Sequence, residues 1–311
     1  MSPSFSNQRE ENIFNELALR LHNLIFLFLK KAVLFFSVFL LFSCQNFGQL
    51  SILTDLPKSL KEVSGIETIK DSDIIWMLND SGNKPRLFGV SKKGKIQKEI
   101  YVKVKNRDWE DLTSDNQGNI YIGDFGNNDN DSKHLKILKV DKKYLDKKNA
   151  EVEFIEFEYE NQHKFPPKKE NRFFDCEAFF YHEKHFYLFT KSRVKKEYGK
   201  TFLYKVPAKK GKHIAKLIGK FDNGKNNDSW ITSADISNDG NKVVLLSQKN
   251  ILVFSDFKAD NFLDGKLHEI ELNHTTQKEG ICFKDNTTLL ITDESANGFG
   301  GNLYELKIDR D

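Results

Sequence analysis

Cysteine is nearly absent, with three residues in a chain of 311. Two of them, Cys176 and Cys282, have no Cys or His partner at metal-ligand spacing, which argues against zinc. They fall in non-adjacent repeat units, so a disulfide between them is not expected, and both read as small buried hydrophobes. Proline is scarce, at six residues, and charge of either sign is not in excess, the formal net being +3. That balance points to no particular partner, and no Lys/Arg–aromatic stripe suggests nucleic acid. No Gly-x-Ser-x-Gly elbow occurs, so serine-esterase chemistry has no support. The histidines His134, His163, His182, His185, His213, His268 and His274 fall mainly in turns or on outer strands, so no histidine base is evident. No apolar run is long enough for an ordinary transmembrane helix.

The longest apolar run, Ala32–Phe42, follows Lys30-Lys31 and reads as an export signal. It ends at Leu41-Phe42-Ser43-Cys44, which resembles the bacterial lipoprotein processing box. Residues 1–44 are then a leader with a lipidated Cys44, residues 45–49 a short tether, and 50–311 one domain. The alternative is a signal anchor starting near Leu24. No acidic run follows Cys44, so the expected location is the cell envelope, anchored in the outer membrane and facing the periplasm.

The rest of the chain is organised by a phrase that recurs at Ser64-Gly65-Ile66, Glu110-Asp111-Leu112, Glu177-Ala178-Phe179, Ala234-Asp235-Ile236 and Glu279-Gly280-Ile281. A period of about 50 residues is the mark of propellers and solenoids. After each phrase comes a polar turn, such as Asn238-Asp239-Gly240-Asn241, and then a short apolar run, such as Val243–Leu246. Such runs bounded by turn residues read as buried strands. A third strand and a more polar fourth follow, except that the last unit stops after its third. The segment Leu50–Leu53 is placed to supply its missing outer strand and so close a ring, which protects strand edges. The expected fold is all-β, a five-bladed β-propeller. Six blades is the runner-up, because the unit holding Glu110 is longer than the others.

The phrase opens the innermost strand, so Ser64, Glu110, Glu177 and Glu279 are expected to face the axis. In the fourth unit Ala234 takes that place, with Ser233 and Asp235 beside it. Carboxylates gathered there repel, by about 3 kcal/mol per pair at roughly 5 Å and an effective dielectric near 20. A hard cation relieves this, and Ca²⁺ accepts six to eight oxygens in flexible geometry. The expected metal ligands are Ser64, Glu110, Glu177, Asp235 and Glu279. The competing reading is that these acids bond to N–H groups of neighbouring blades and tie the ring together. Loops on one face gather further polar residues, among them Arg107, Asp108, Trp109, Trp230, Lys278 and Asn297. From the same face Asp80 and Asp293 are candidates to orient a water, and Arg172 and Lys191 to offset an anionic ligand's charge.

These residues resemble those of the five-bladed calcium-activated nucleotidases, or apyrases. The resemblance implies a calcium ion in the central channel, held by serines and glutamates from successive blades, and Ser64, Glu110, Glu177 and Glu279 match that alternation. Ala234 departs from it, since a serine is expected there. The stretches Asp108–Leu112 and Gly123–Asn128 are similar to those of uncharacterised secreted bacterial propellers labelled esterase-like or phytase-like. Two functions follow as expectations. One is a lipid-anchored propeller that binds an anionic small molecule or protein, with Ca²⁺ in its channel. The other is a calcium-dependent hydrolase of phosphate esters or anhydrides.

Overall fold

The computed structural model describes residues 49–308, residue 297 excepted. The leader, Cys44, most of the tether and Asn297 therefore lie outside the described residues. Strand β1 covers Ser51–Asp55 and is followed by β2 (Val63–Thr68), β3 (Ile75–Asn79), β4 (Arg86–Val90) and β5 (Ile96–Val102). The next unit holds β6 (Trp109–Ser114), β7 (Ile120–Asp124), β8 (Leu135–Val140), the short β9 (Asn149–Ala150) and β10 (Val152–Tyr159). Then come β11 (Asp175–His182), β12 (His185–Lys191), β13 (Lys200–Pro207) and β14 (Gly211–Asp222). Strands β15 (Ser233–Ile236), β16 (Lys242–Leu246), β17 (Asn250–Ser255) and β18 (Lys266–Glu271) precede β19 (Lys278–Asp285), β20 (Thr288–Asp293) and β21 (Asn302–Lys307). Within each unit the strands pair antiparallel in chain order, as short apolar runs joined by Asn/Asp/Gly turns dictate. The turn Asp239-Gly240 shows why: Gly240 sits at φ 71°, open to glycine at little cost.

The first strands of successive units lie side by side: β2 against β6, β6 against β11, β11 against β15, β15 against β19, and β19 back against β2. This cyclic order makes the fold propeller-like. Strand β1 pairs with β21, the last strand among the described residues, from Ser51↔Glu305 to Asp55↔Asn302. Two further joints are not apparent from the repeat. Strand β9 adds parallel to β5, and β10 runs parallel to β14, pairing Ile155↔Gly211 through Tyr159↔Ala215. The second joint merges two units into one eight-stranded sheet.

An apolar layer fills each space between neighbouring sheets. Trp76, Leu78 and Val102 meet Trp109, Leu112 and Ile122 in one layer. Phe125, Phe157 and Tyr159 meet Phe174, Phe179 and Phe186 in the next, with Phe125 edge-on to Phe179 at 5.0 Å between ring centres. A buried phenylalanine contributes about 1.5–3 kcal/mol through area alone, so the phenylalanine-rich composition serves these layers. Trp109 belongs to this core and is fully buried, not part of the loop face expected from its position. Lys278 is buried as well. Cys176 and Cys282 are buried free thiols.

The inner strands are laced to one another by side chains. Ser64 Oγ donates to the Trp109 carbonyl at 3.0 Å. Thr232 Oγ1 donates to the Lys278 carbonyl at 2.7 Å. The Phe283 amide donates to Asp235 at 2.7 Å, and the Ile281 amide to Ser233 Oγ at 3.1 Å. Gly65 lets two strands approach, because a Cβ there would stand 2.9 Å from the Leu112 amide nitrogen.

Candidate metal centre

In four units the ladder between first and second strands is interrupted, with Ser64, Glu110-Asp111, Glu177 or Glu279 at the irregularity. Bulges re-aim side chains and bend the strand. In the fourth unit β15 pairs with β16 without interruption, from Ser233↔Leu246 to Ile236↔Val243. The extra residue is missing there, so Ala234 is not the counterpart of Glu177. That accounts for the break in the repeated phrase.

The acids fall into two groups. Asp235 belongs with Glu67 and Asp111, and all three are buried. Burial pushes the Asp235 carboxyl up to about 7, against the Phe283 and Ile236 amides that it accepts. Asp111 accepts from the Phe179 amide at 3.3 Å and from Ser233 Oγ at 3.1 Å. Burial holds Glu67 well above the usual carboxylate range, and the charges of Asp235 and Asp111 add to that. These groups tie inner strands together, as Ser64 does.

The second group gathers where chain enters the inner strands. Asp80 follows β3, Asp108 precedes β6 and Glu110 sits in the β6 irregularity; one carboxylate oxygen from each lies within 4.8 Å of the others. Bonds between side chains and backbone hold the segments that carry Asp80 and Asp108 in place. The amides of Arg107 and Asp108 donate to Asp124 Oδ1 at 3.2 and 3.1 Å, and Asn106 Nδ2 donates to the Asp80 carbonyl at 2.9 Å. Gly126 closes one side: a Cβ there would stand 2.2 Å from Glu110 Oε1 and 2.3 Å from Asp108 Oδ2. Glu110 is 7% exposed, and among the described residues no hydrogen bond or ion pair reaches its carboxylate. Burial, then Glu177, Asp80 and Asp108, push its pKa well above the usual range. Burial and the Asp80 charge push Asp108 to about 6, and burial raises Asp80 as well.

Glu177 and Glu279 meet a cation of the protein's own. Lys191 Nζ lies 3.0 Å from Glu177 Oε2, with 11% of the lysine side chain exposed. Burial opposes the ammonium's charge, but Glu177 and Glu279 outweigh it and raise the pKa. Arg193 reaches Glu177 at 3.1 Å and Asp175 at 2.5 Å. Both cations lie over the Trp230 ring, at 5.0 and 5.3 Å. Glu279 is pushed up to about 8 by burial, with Lys191 opposing. Glu294 is pushed to about 7 by burial and by Asp80.

Of the expected metal ligands, Glu110 therefore stands with Asp80 and Asp108. Glu177 and Glu279 flank Lys191, Ser64 is bonded to Trp109, and Asp235 lies in the other group. Asp293 is fully buried, its oxygens taken by the Asn302 amide at 2.8 Å and Tyr304 Oη at 2.7 Å. Arg172 stands on the rim of the same face, its carbonyl accepting from the Arg193 amide at 2.9 Å. The sequence marked Asp80 as a polar residue of the loop face, in the role of orienting a water rather than of holding an ion. Nothing in the sequence marked Lys191 as the counter-ion of two repeat glutamates.

Three carboxylate oxygens with one buried, donor-free member suit a hard divalent cation. No protein-family profile and no curated protein matches the chain. Among solved structures it is similar to a gluconolactonase from Xanthomonas campestris, at 12% identity and TM-score 0.46 over 84% of this chain and 89% of that one. It is also similar to virginiamycin B lyase from Staphylococcus aureus, at 14% identity and TM-score 0.40 over 82% of this chain and 69% of that one. Among the described residues no helix is long and apolar enough to cross a membrane.

Proposed function

We propose that the chain is a lipid-anchored five-bladed propeller of the cell envelope that holds Ca²⁺ between Asp80, Asp108 and Glu110 and binds an anionic ligand on the surrounding loops. The reading of five blades rests on the cyclic order of the inner strands. The reading of calcium rests on Glu110: a carboxylate 7% exposed, with no donor, facing two further acids. Leaving it ionised without a partner is costly, and a cation removes that cost. Asp80, Asp108 and Glu110 would hold the ion, and Glu177 and Glu279 stay with Lys191. Calorimetry of the full-length chain should give one Ca²⁺ per chain, and Glu110→Gln should weaken it at least tenfold, about 1.4 kcal/mol. Undiminished binding in that variant defeats the assignment. Anchoring is checked by labelling with a radioactive fatty acid, which Cys44→Ser should abolish.

A second reading, a calcium-dependent hydrolase of phosphate esters or anhydrides, is favoured by one observation. Asp80 and Asp108 are only half-buried, which leaves the solvent side of the cluster open to water and substrate. Bound there, Ca²⁺ would supply Lewis acidity toward a phosphoryl oxygen. The chain's own part would be to hold the ion and, through Lys191 and Arg193, to keep Glu177 and Asp175 neutralised beside it. Turnover of nucleoside triphosphates, phytate or nitrophenyl phosphate that needs calcium and fails in Glu110→Gln supports this reading. No turnover on any of them leaves a binding protein.

A further inference from the structure

We propose that the rim beside this centre carries an oxyanion site built on Arg172, which takes phosphate-class groups of the ligand. The inference names the chemistry of the ligand in the reading above and stands on different residues. Arg172 Nε is shielded from solvent and has no hydrogen-bond acceptor. A guanidinium keeps its proton, so this N–H cannot be silenced by titration. An unmet buried donor costs about 1–3 kcal/mol, and more when it carries charge. A bound oxyanion supplies the missing acceptor.

The surroundings add charge of the same sign. The bond from the Arg193 amide to the Arg172 carbonyl, at 2.9 Å, joins the loop before β11 to the loop after β12. Lys168 and Lys169 precede Arg172 in a turn closed by the Asn171 amide on the Lys168 carbonyl, at 2.9 Å. Lys195 and Lys196 follow Arg193 by two and three residues, within about 10 Å of chain. All four lysines are exposed, and among the described residues none is ion-paired with a carboxylate. Glu197 is taken by Lys200 at 2.8 Å, and Arg193 is spent on Asp175 and Glu177. Against Lys168, Lys169, Arg172, Lys195 and Lys196 stand Glu170 on the same loops and Asp129 and Asp131 on the loop bonded to Phe174 and Asp175, which leaves a basic excess. Such a surplus suits a multiply charged anion, and the planar guanidinium fork matches phosphate oxygens. Arg193, whose amide is bonded to the Arg172 carbonyl, reaches Glu177, and the charge of Glu177 acts on Glu110, so the basic shelf borders the candidate metal centre.

The probe is inorganic pyrophosphate, titrated into the full-length chain with a chelator present so that no cation contributes. Wild type should bind, more weakly as salt rises. Arg172→Gln should weaken binding at least tenfold, and Arg172→Lys should fall between, since it keeps charge but loses the fork. The doubly substituted Lys195→Gln/Lys196→Gln variant changes exposed residues and should weaken binding while leaving thermal unfolding unchanged. Calcium affinity, measured separately without pyrophosphate, should be the same in all of them. No pyrophosphate binding by wild type below about 10 mM, or equal binding by Arg172→Gln, overturns the proposal whatever calcium does. Vesicles of phosphatidylglycerol, set against phosphatidylcholine, identify the source. Competition by the anionic lipid alone assigns the site to a lipid headgroup, and no competition by either assigns it to a phosphorylated solute.

Discussion

Glu110 and Arg193 are opposite solutions to the same difficulty, a charge withdrawn from water. Arg193 has partners in Asp175 and Glu177, at 2.5 and 3.1 Å. Arg193→Ala strands both carboxylates and should destabilise the domain by about 3–5 kcal/mol, read from chemical denaturation near pH 8. Glu110 has no such partner, and its raised pKa sets the sign of a pH effect. A carboxyl whose folded pKa exceeds its unfolded one favours the fold when protonated, and that contribution is lost as pH rises through the folded value. With Asp108 near 6, Glu294 near 7 and Glu279 near 8, the calcium-free protein should lose stability between about pH 4 and pH 8. Thermal melts in chelator at pH 5 and pH 8 check this. Calcium should restore stability at pH 8, and Glu110→Gln should flatten the slope.

At the scale of elements, the bulge decides which acids face one another. Gly126, in the loop after β7, is the sharpest test, since a Cβ there overlaps both Glu110 Oε1 and Asp108 Oδ2. Gly126→Ala should lower calcium affinity at least tenfold with little change in the circular dichroism of the sheets. The propeller-like order and the pairing of β1 with β21 were legible because alternating apolar runs and Asn/Asp/Gly turns are local signals. The two acid groups were not. A one-residue irregularity shifts the side-chain register, and the repeated phrase reads alike whether or not a bulge is present. Asp235 takes the place of Asp111 in the repeated phrase, but only the unit of Asp111 carries the irregularity that holds its neighbour Glu110 beside Asp80 and Asp108. Lys191 was equally hidden, because its partners Glu177 and Glu279 come from different strands.

At the scale of the whole domain, closure depends on β1. Removing Ser51–Asp55 would bare the edge of β21, and the truncated protein should melt lower and aggregate through that edge. Size-exclusion chromatography of the truncated protein against wild type checks the outcome. The outer joints are unevenly spread. Strands β9 and β14 stitch the first three units into each other by backbone ladders, and β1 completes the last. Strand β18 has β17 as its only ladder partner among the described residues. Among the described residues no backbone ladder joins the fourth wedge to a neighbour, which leaves greasy faces and side-chain stitches to hold it. It is the natural seam of the disc, the place where transient opening begins, and its amide protons should exchange with deuterium ahead of those in the merged pair of sheets.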